Sequence, residues 1–168
     1  MSDPSRYVLD TNVFIQAFRG YYAFDIAPAF WRALVRQASN GRLLSIDRVR
    51  HEIEQGKDDL ANWAVSNFHR WFASTAESDV IESYRNIMRW AQAQPQYSEA
   101  AKRQFADENN ADPWLVAYAE AKGCVVVTLE QLDPNVQRTI PIPNVCRAFR
   151  IDFVDTYAML RALGVRLG

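Results

Sequence analysis

The run "CVVVT", residues 124–128, is the feature that most constrains the fold of this chain. Its central residues are all apolar and β-branched, without the polar alternation of a strand that has one face in water. Strands of this composition are buried on both faces, and they occur mainly in parallel sheets covered by helices on each side. The run therefore predicts an α/β fold built on a parallel sheet.

Three other short runs have a similar character, namely "YVLD" at 7–10, "RLLSID" at 42–47 and "NVCRAF" at 144–149. Helical patterns lie between and after them. Four short strands interleaved with helices predict a parallel sheet with helices on both faces. Ligands of such sheets bind at the carboxyl ends of the strands. The predicted helices cover residues 28–40, 60–75, 78–93, 98–106, 113–122 and 153–163.

The 168 residues are expected to form one domain, 1–168, because a chain of about 150 residues buries roughly 70% of its unfolded surface. Residues 58–106 show no strand pattern, so we expect a helical insertion packed over one sheet edge. Its aromatic residues have helical spacing, which favours core packing over base stacking. These aromatics are Trp63, Phe68, Trp71 and Phe72.

Composition restricts the class of protein. Hydrophobic residues at 49% and charged residues at 23% argue against intrinsic disorder. No apolar run approaches the ~20 residues of a membrane helix, and the start "MSDPSRYVLD" lacks a signal-peptide layout. We therefore expect a cytoplasmic protein without a membrane partner. Cys124 and Cys146 lack metal-site spacing and are expected to be reduced core thiols. A net charge of −1 leaves a nucleic-acid partner open.

Acidic residues recur at the ends of the predicted strands. Asp10 closes the first strand, Asp112 opens the helix that leads into "CVVVT", and Glu130 lies just beyond that run. If Asp47 is the N-cap of a helix that begins at Arg48, Glu52 falls beside the buried stripe of that helix and Glu54 points to solvent. Four acids are thus expected at one edge of the sheet.

Each acid also has a simpler reading. Asp10 and Asp112 fit helix N-caps, the latter directly before Pro113, while Glu52 and Glu130 alone would be partly exposed acids. Their joint placement favours a cation, because grouped carboxylates repel one another. Oxygen ligands suit Mg²⁺ or Mn²⁺. Zinc is disfavoured because an HExxH motif starting at His51 would need a second histidine where Gln55 stands. His51 itself is interpreted as a surface residue or as a polar neighbour of the metal ligands.

Four segments taken together resemble the PIN domain, in particular VapC-type toxin ribonucleases. They are "YVLDTNVF" with Asp10, "SIDRVRHEI" with Glu52, "ADPWLVAYA" with Asp112, and "VVTLE" with Thr128 and Glu130. Their order agrees with the family over nearly the whole chain. The sequence departs from it at Glu130, where Asp is commoner, so that Asp133 is a possible substitute.

The resemblance implies a PIN-like three-layer α/β/α sandwich and a Mg²⁺- or Mn²⁺-dependent endoribonuclease held inactive by a cognate antitoxin. By that likeness Asp10, Glu52 and Asp112 are metal ligands, assisted by Glu130. Asn12 and Thr128 would orient carboxylates or water. The substrate implied is single-stranded or looped RNA, and the assembly, monomer or homodimer, stays open.

Basic residues near the expected site are candidates for holding RNA phosphates, although each also fits a solvated helix face. They are Arg19, Arg48, Arg50 and Lys57, with Lys102 and Arg103 ahead of "ADENNAD" at 106–112, a polar stretch that is expected to be a loop feeding a helix. The alternative function is a catalytically inactive PIN-like scaffold that binds RNA or protein. A phosphatase of the haloacid-dehalogenase kind ranks lower, because it needs a second Asp where Asn12 stands.

Overall fold

The computed structural model describes residues 4–168; residues 1–3, which open the stretch inspected for a signal peptide, lie outside it. The fold is α/β, with a five-stranded parallel sheet flanked by helices. In spatial order the strands are β3 (Phe72–Ala73), β2 (Leu43–Ile46), β1 (Tyr7–Leu9), β4 (Val125–Val127) and β5 (Phe153–Val154).

Nine α-helices connect and flank the strands within residues 4–168. They are α1 (Thr11–Arg19), α2 (Pro28–Ser39), α3 (Asp47–Gln55), α4 (Asp59–Trp63), α5 (Ser78–Ala93), α6 (Glu99–Phe105), α7 (Asp112–Lys122), α8 (Ile142–Ala148) and α9 (Thr156–Ala162). Helix α7 packs against β1, β2 and β4, and α5 packs along α7.

Strand β1 is the centre of the sheet. Tyr7 pairs with Leu43 on one side and with Val125 on the other. From β1 the chain first extends the sheet through β2 to β3, and it then returns to the opposite side of β1 for β4 and β5. The strand order therefore reverses between β1 and β4, and the crevice outside the carboxyl ends at such a reversal is where α/β sheets bind ligands.

The predicted fourth strand is wrong. Residues 144–149 belong to α8, whose first turn contains Pro143 and whose buried face includes Val145 and Cys146. A short apolar run does not separate a strand from a buried helix by periodicity, and proline fits the first helical turn, where no N–H donor is needed. The last strand is instead β5, which pairs with β4. Helix α9 consequently starts at Thr156 and not at residue 153, with the Asp155 carboxylate accepting the Ala158 N–H at 2.8 Å.

The expectation of a strand-free segment at 58–106 is also wrong. Strand β3 lies within it and pairs with β2 at Ser45 and Ile46, as the edge of the sheet. The helix predicted at 60–75 ends at Trp63 and is followed by a π-helical turn (Ala64–Phe68) and a 3₁₀ turn (His69–Trp71). Two residues are too few to display a strand pattern.

Several other predictions are confirmed. The aromatic residues of this segment pack inside, since Phe68 is fully buried and its ring lies 5.6 Å from that of Phe14. Helix α5 has the predicted bounds. Cys124 and Cys146 are buried free thiols. In the part of the chain that is described, none of the helices is both long and apolar enough to cross a bilayer.

Candidate active site at the carboxyl edge of the sheet

Asp10 lies at the junction of β1 and α1, where its N–H donates to the Val127 carbonyl at 3.0 Å. The residue is 1% exposed, and its carboxyl makes no capping bond to α1. The Thr128 hydroxyl donates to Asp10 Oδ2 at 3.1 Å. Burial and the negative charges of Glu130 and Glu52 raise the pKa of Asp10 to about 7, against the lowering effect of Thr128. Asp10 is therefore a buried acid surrounded by like charge.

Asp112 is the first residue of α7, and it too makes no capping bond. Its backbone N–H donates to Asn110 Oδ1 at 3.0 Å. Burial, and then the charges of Asp10, Glu130 and Glu52, raise the pKa of Asp112 well above its ordinary value. Asp10 occupies the predicted N-cap position of α1 without a side-chain capping bond, whereas Asp112 lies inside α7 and Ala111 is the N-cap residue. Helix capping therefore accounts for neither carboxyl group.

Glu52 is partly buried on α3, and its Oε1 accepts the N–H of Ala111, the residue before Asp112, at 2.9 Å. This hydrogen bond ties α3 directly to the start of α7. Glu54, on the same helix, forms an ion pair with Arg50 at 3.6 Å near the surface. Glu52 therefore faces the sheet edge and one of its oxygens remains uncommitted to the backbone.

Asp47 does not cap α3 as predicted. The helix includes Asp47 itself, with Ile46 in the N-cap position. The Asp47 carboxylate accepts the N–H and the O–H of Thr75, at 3.1 and 2.8 Å, just beyond β3. Thr75, which follows the distant strand β3, therefore supplies the donors that the first N–H groups of the helix would supply to a capping residue. The local sequence does not reveal this contact.

Glu130 follows β4, and burial raises its pKa. Its Oε2 accepts the Ile142 N–H at 2.7 Å, at the start of α8. Its own N–H donates to Thr128 Oγ1 at 3.2 Å, so that Thr128 contacts both acids. Asp133, the other candidate, is exposed and accepts the N–H of Asn135. Glu130 and not Asp133 is among the charges that raise the pKa of Asp10 and Asp112.

The donor chemistry of these acids fits a hard divalent cation. Within residues 4–168, no three His, Cys, Asp or Glu side chains are grouped as ligands of a metal ion. The acids nevertheless offer only oxygen atoms, and burial together with their mutual repulsion raises the pKa of Asp10 and of Asp112. A cation is the charge that would relieve this repulsion, and Mg²⁺ and Mn²⁺ prefer such oxygen donors. Beside Asp10, the Thr11 hydroxyl is buried without a partner among the described residues.

The predicted polar neighbours differ in placement. Thr128 is 2% exposed and holds Asp10, as described above. Asn12 is exposed on α1, and its side chain takes part in none of the hydrogen bonds found among residues 4–168. His51 is exposed on α3 and contacts Gln55 at 3.2 Å.

Arg48 contacts the protein itself. Its guanidinium lies 4.3 Å from the centre of the Trp114 ring, and its Nη1 donates to the Glu108 carbonyl at 3.3 Å. Trp114 in turn stacks on Tyr84 at 3.8 Å. Arg48 thus connects α3, which carries Glu52, to the loop and helix that carry Asp112.

The other basic candidates divide into exposed and engaged side chains. Arg19 and Lys57 are exposed. Arg50 pairs with Glu54, and Lys102, which is 8% exposed, donates to the Gln92 carbonyl at 3.0 Å. Arg103 is exposed on α6. Of this set, Arg19, Lys57 and Arg103 keep cationic groups open to solvent.

Residues 7–167 match the family described as "Domain of unknown function (DUF4411)". The chain belongs to this family. The DUF4411 match begins at the first residue of β1 and includes Asp10, Glu52, Asp112 and Glu130. No curated protein matches the chain.

A cavity of about 350 Å³ opens beside the acids of this DUF4411 chain. Asp112 and Glu130 line it, together with neutral polar residues that the sequence did not single out. One of them, Asn110, lies in the loop at residues 106–112, and only the fold brings α6 and the segment before α8 to the same place. The neutral polar residues are Gln104, Asn110, Gln131 and Thr139.

Proposed function

We propose that this DUF4411 protein is a Mg²⁺- or Mn²⁺-dependent endoribonuclease of the PIN-like type, acting in the cytoplasm as the toxin of a toxin–antitoxin pair. One observation carries the proposal. Carboxyl groups from four separate segments act electrostatically on one another where the strand order of a parallel sheet reverses. A protein has little reason to accumulate such repulsion unless a cation or substrate uses it.

The acidic residues and their hydrogen-bond partners have separate roles in the proposed reaction. Asp10, Glu52 and Asp112 would hold the metal ion, with Glu130 as the fourth acid. Thr128 fixes one oxygen of Asp10, and the Ala111 N–H fixes one oxygen of Glu52, so that the remaining oxygens are presented in defined directions. When bound, the ion supplies an activated water and neutralises charge that develops on the phosphate.

The cavity gives the substrate a place beside the acids. Gln104, Asn110 and Thr139 line it with neutral hydrogen-bonding groups, which suit the sugar hydroxyls and phosphate oxygens of RNA. The exposed Arg19, Lys57 and Arg103 are the residues of the chain best able to attract the RNA backbone from outside.

The decisive experiment is cleavage of a defined single-stranded RNA pool by the purified protein with Mg²⁺, with Mn²⁺ and with chelator. Asp10→Asn and Asp112→Asn are expected to lose activity by at least about 100-fold. Asp133→Asn is the matched control, because it makes the same change at an exposed acid of the same cavity and should keep activity. Equal activity in Asp10→Asn, Asp112→Asn and the wild type would refute the assigned roles.

The toxin role is tested separately in cells. Induced expression of the wild type is expected to arrest bacterial growth, whereas Asp10→Asn is not. Co-expression of a small reading frame adjacent to the gene should restore growth if it encodes the antitoxin. Normal growth during accumulation of the active wild-type protein would leave a ribonuclease without a toxin role.

A second candidate is a catalytically inactive scaffold that binds RNA or protein. It is favoured by the structural use of two acids, since Glu52 and Glu130 each accept a backbone N–H that anchors a helix start. Calorimetric titration with Mn²⁺ separates the two functions. The nuclease should bind Mn²⁺ with a heat that Asp10→Asn abolishes, whereas the scaffold should show no such specific heat.

A further inference from the structure

A groove of about 220 Å³ lies between α1, the turn that follows it, and α9. Leu129 and Tyr157 line this groove and also the adjoining surface depression beyond β4. Glu130 lines that depression and the acidic cavity. Shared lining residues therefore define a path over three adjoining surfaces, from the acids to the groove.

Tyrosines dominate the groove. Tyr21 is 85% exposed and Tyr157 is 48% exposed, both unusually high for large aromatic residues. Tyr22 is held firmly from behind, because its ring stacks on Phe30 at 4.3 Å and its carbonyl accepts the Trp31 indole N–H. Burial and the nearby Tyr157 raise the pKa of Tyr22, which is consistent with the two rings meeting in the groove.

The turn that presents Tyr21 depends on a glycine. A Cβ at Gly20 would lie 2.9 Å from the Gln16 carbonyl oxygen, closer than side chains tolerate. Gly20 thus permits the chain to leave α1 and place Tyr21 at the rim. The backbone thus sets the point at which the exposed Tyr21 side chain leaves the chain.

The lining of the groove indicates its occupant. Within the described residues it contains no charged side chain, and its polar groups are the tyrosines, Gln16 and Thr156. Neutral hydrogen-bonding groups beside exposed aromatic rings suit a planar, uncharged heterocycle. A phosphate would fit poorly here, whereas the exposed Arg19 directly precedes the turn.

We propose that the groove is a stacking subsite for an unpaired nucleobase of single-stranded RNA, one or a few nucleotides from the phosphate held at the acids. The inference rests on the proposed function. Tyr157 and Tyr21 provide the ring faces, and Gln16 and Thr156 provide hydrogen-bonding groups at the base edge. The distance along the path sets which nucleotide reaches the groove, so the subsite would fix the position of cleavage relative to a preferred base.

The experiment measures binding of a short fluorescein-labelled single-stranded RNA in chelator, which prevents cleavage. Tyr157→Ala and Tyr21→Ala are each expected to weaken binding about tenfold. Tyr157→Phe keeps the ring, and Val65→Ala removes an exposed apolar side chain outside the groove; both should stay within about twofold of the wild type. An RNA with one abasic nucleotide, scanned along the strand, should lose affinity for the wild type at one position and lose nothing further with Tyr157→Ala.

The outcomes separate this inference from the proposed function. If the wild type cleaves RNA but both alanine variants keep full affinity, the subsite is refuted and the nuclease stands, and a protein segment becomes the alternative occupant. If Tyr157→Phe loses as much affinity as Tyr157→Ala, stacking is refuted in favour of the hydroxyl. If the wild type neither binds nor cleaves RNA, both proposals fall. Far-ultraviolet circular dichroism checks folding, and Tyr21→Ala, at an 85% exposed position, tests the idea even if Tyr157→Ala is unstable.

Discussion

At Asp10, burial and neighbouring negative charge act in the same direction. The folded-state pKa of about 7 lies above the ordinary value of 3.8, so folding favours the protonated acid. The stability associated with this proton is therefore fully present below about pH 4 and is lost as the pH rises through about 7. The metal-free protein at neutral pH carries an electrostatic cost at its candidate site.

Asp10→Asn should relieve that cost while abolishing activity. The amide keeps the shape of the side chain and can still accept the Thr128 hydroxyl, but it carries no charge. In chelator at about pH 8 we expect the variant to be more stable than the wild type by ~1–4 kcal/mol, with the difference fading towards about pH 4. Urea unfolding at both pH values measures it. A variant that is less stable at the higher pH would contradict the assigned repulsion.

Thr128 offers a second test with a matched pair of substitutions. Thr128→Val removes the donor to Asp10 and the acceptor of the Glu130 N–H without changing side-chain shape. It should reduce the free energy of unfolding by ~1–3 kcal/mol and weaken Mn²⁺ binding, because a charged acceptor and a backbone donor lose their partner. Thr128→Ser should retain most of both. Equal behaviour of the two variants would mean that the hydroxyl is not what matters.

The sequence indicates which acidic residues lie at the candidate site, but it does not indicate where each side chain points. The order of the acids along the chain placed Asp10, Glu52, Asp112 and Glu130 near one sheet edge, and their mutual effect on pKa shows that they influence one another. Local sequence could not decide whether Asp10 and Asp112 cap their helices, since both positions suit a cap. The Asp10 carboxyl group is held by Thr128, which belongs to a remote segment of the chain.

Among the helices, α8 depends on an acid of the candidate site. Glu130 accepts the Ile142 N–H, and α8 is only seven residues long. Glu130→Gln keeps a carbonyl acceptor and should not lower stability, while activity falls because the charge is gone. Glu130→Ala should reduce activity in the same way, and it should also lower the free energy of unfolding by about 1 kcal/mol because the Ile142 N–H loses its acceptor. Urea unfolding and RNA cleavage on the same samples separate the two effects; full activity in Glu130→Gln would remove Glu130 from the site.

Helix α3 is positioned through Arg48. Arg48→Gln should lower stability by about 1 kcal/mol through loss of the Trp114 and Glu108 contacts, and should leave the salt dependence of RNA binding unchanged. Arg19→Gln is the comparison, because Arg19 is exposed. This substitution should reduce the slope of log RNA affinity against log salt concentration by about one, without changing stability. The reverse pattern would make Arg48 a phosphate ligand, as the sequence first suggested.

Element boundaries show where sequence patterns stop being informative. Helix α5 spans sixteen residues and was predicted to the residue, because a long helix repeats its apolar spacing several times. Strands β3 and β5 have two residues each, and they form only because Ser45 and Val126 offer a partner strand. Their pairing is tertiary, so no local signal could have found them.

Over the whole molecule, the parallel sheet converts sequence separation into proximity. Asp10 and Thr128 are 118 residues apart along the chain and share a hydrogen bond. Burial raises the pKa of Asp10, Asp112 and Glu130, and like charge raises it further at Asp10 and Asp112, so the site as a whole takes up protons on folding. Binding of a divalent cation would expel those protons, which couples metal affinity, pH and global stability.

As the pH rises, the melting temperature in chelator and the increase in melting temperature caused by metal should therefore change in opposite directions. In chelator we expect the melting temperature to fall between about pH 5.5 and pH 8, as Asp10, with a pKa of about 7, loses its proton. With saturating Mn²⁺ the increment in melting temperature should grow over the same interval, because a bound ligand stabilises by its free concentration relative to Kd and Kd decreases as the acids ionise. Asp112→Asn is the control, and its Mn²⁺ increment should be small and nearly independent of pH. An increment in the wild type that is equal at both pH values would show that Mn²⁺ binds elsewhere, and that the carboxyl edge of the sheet is not the metal site.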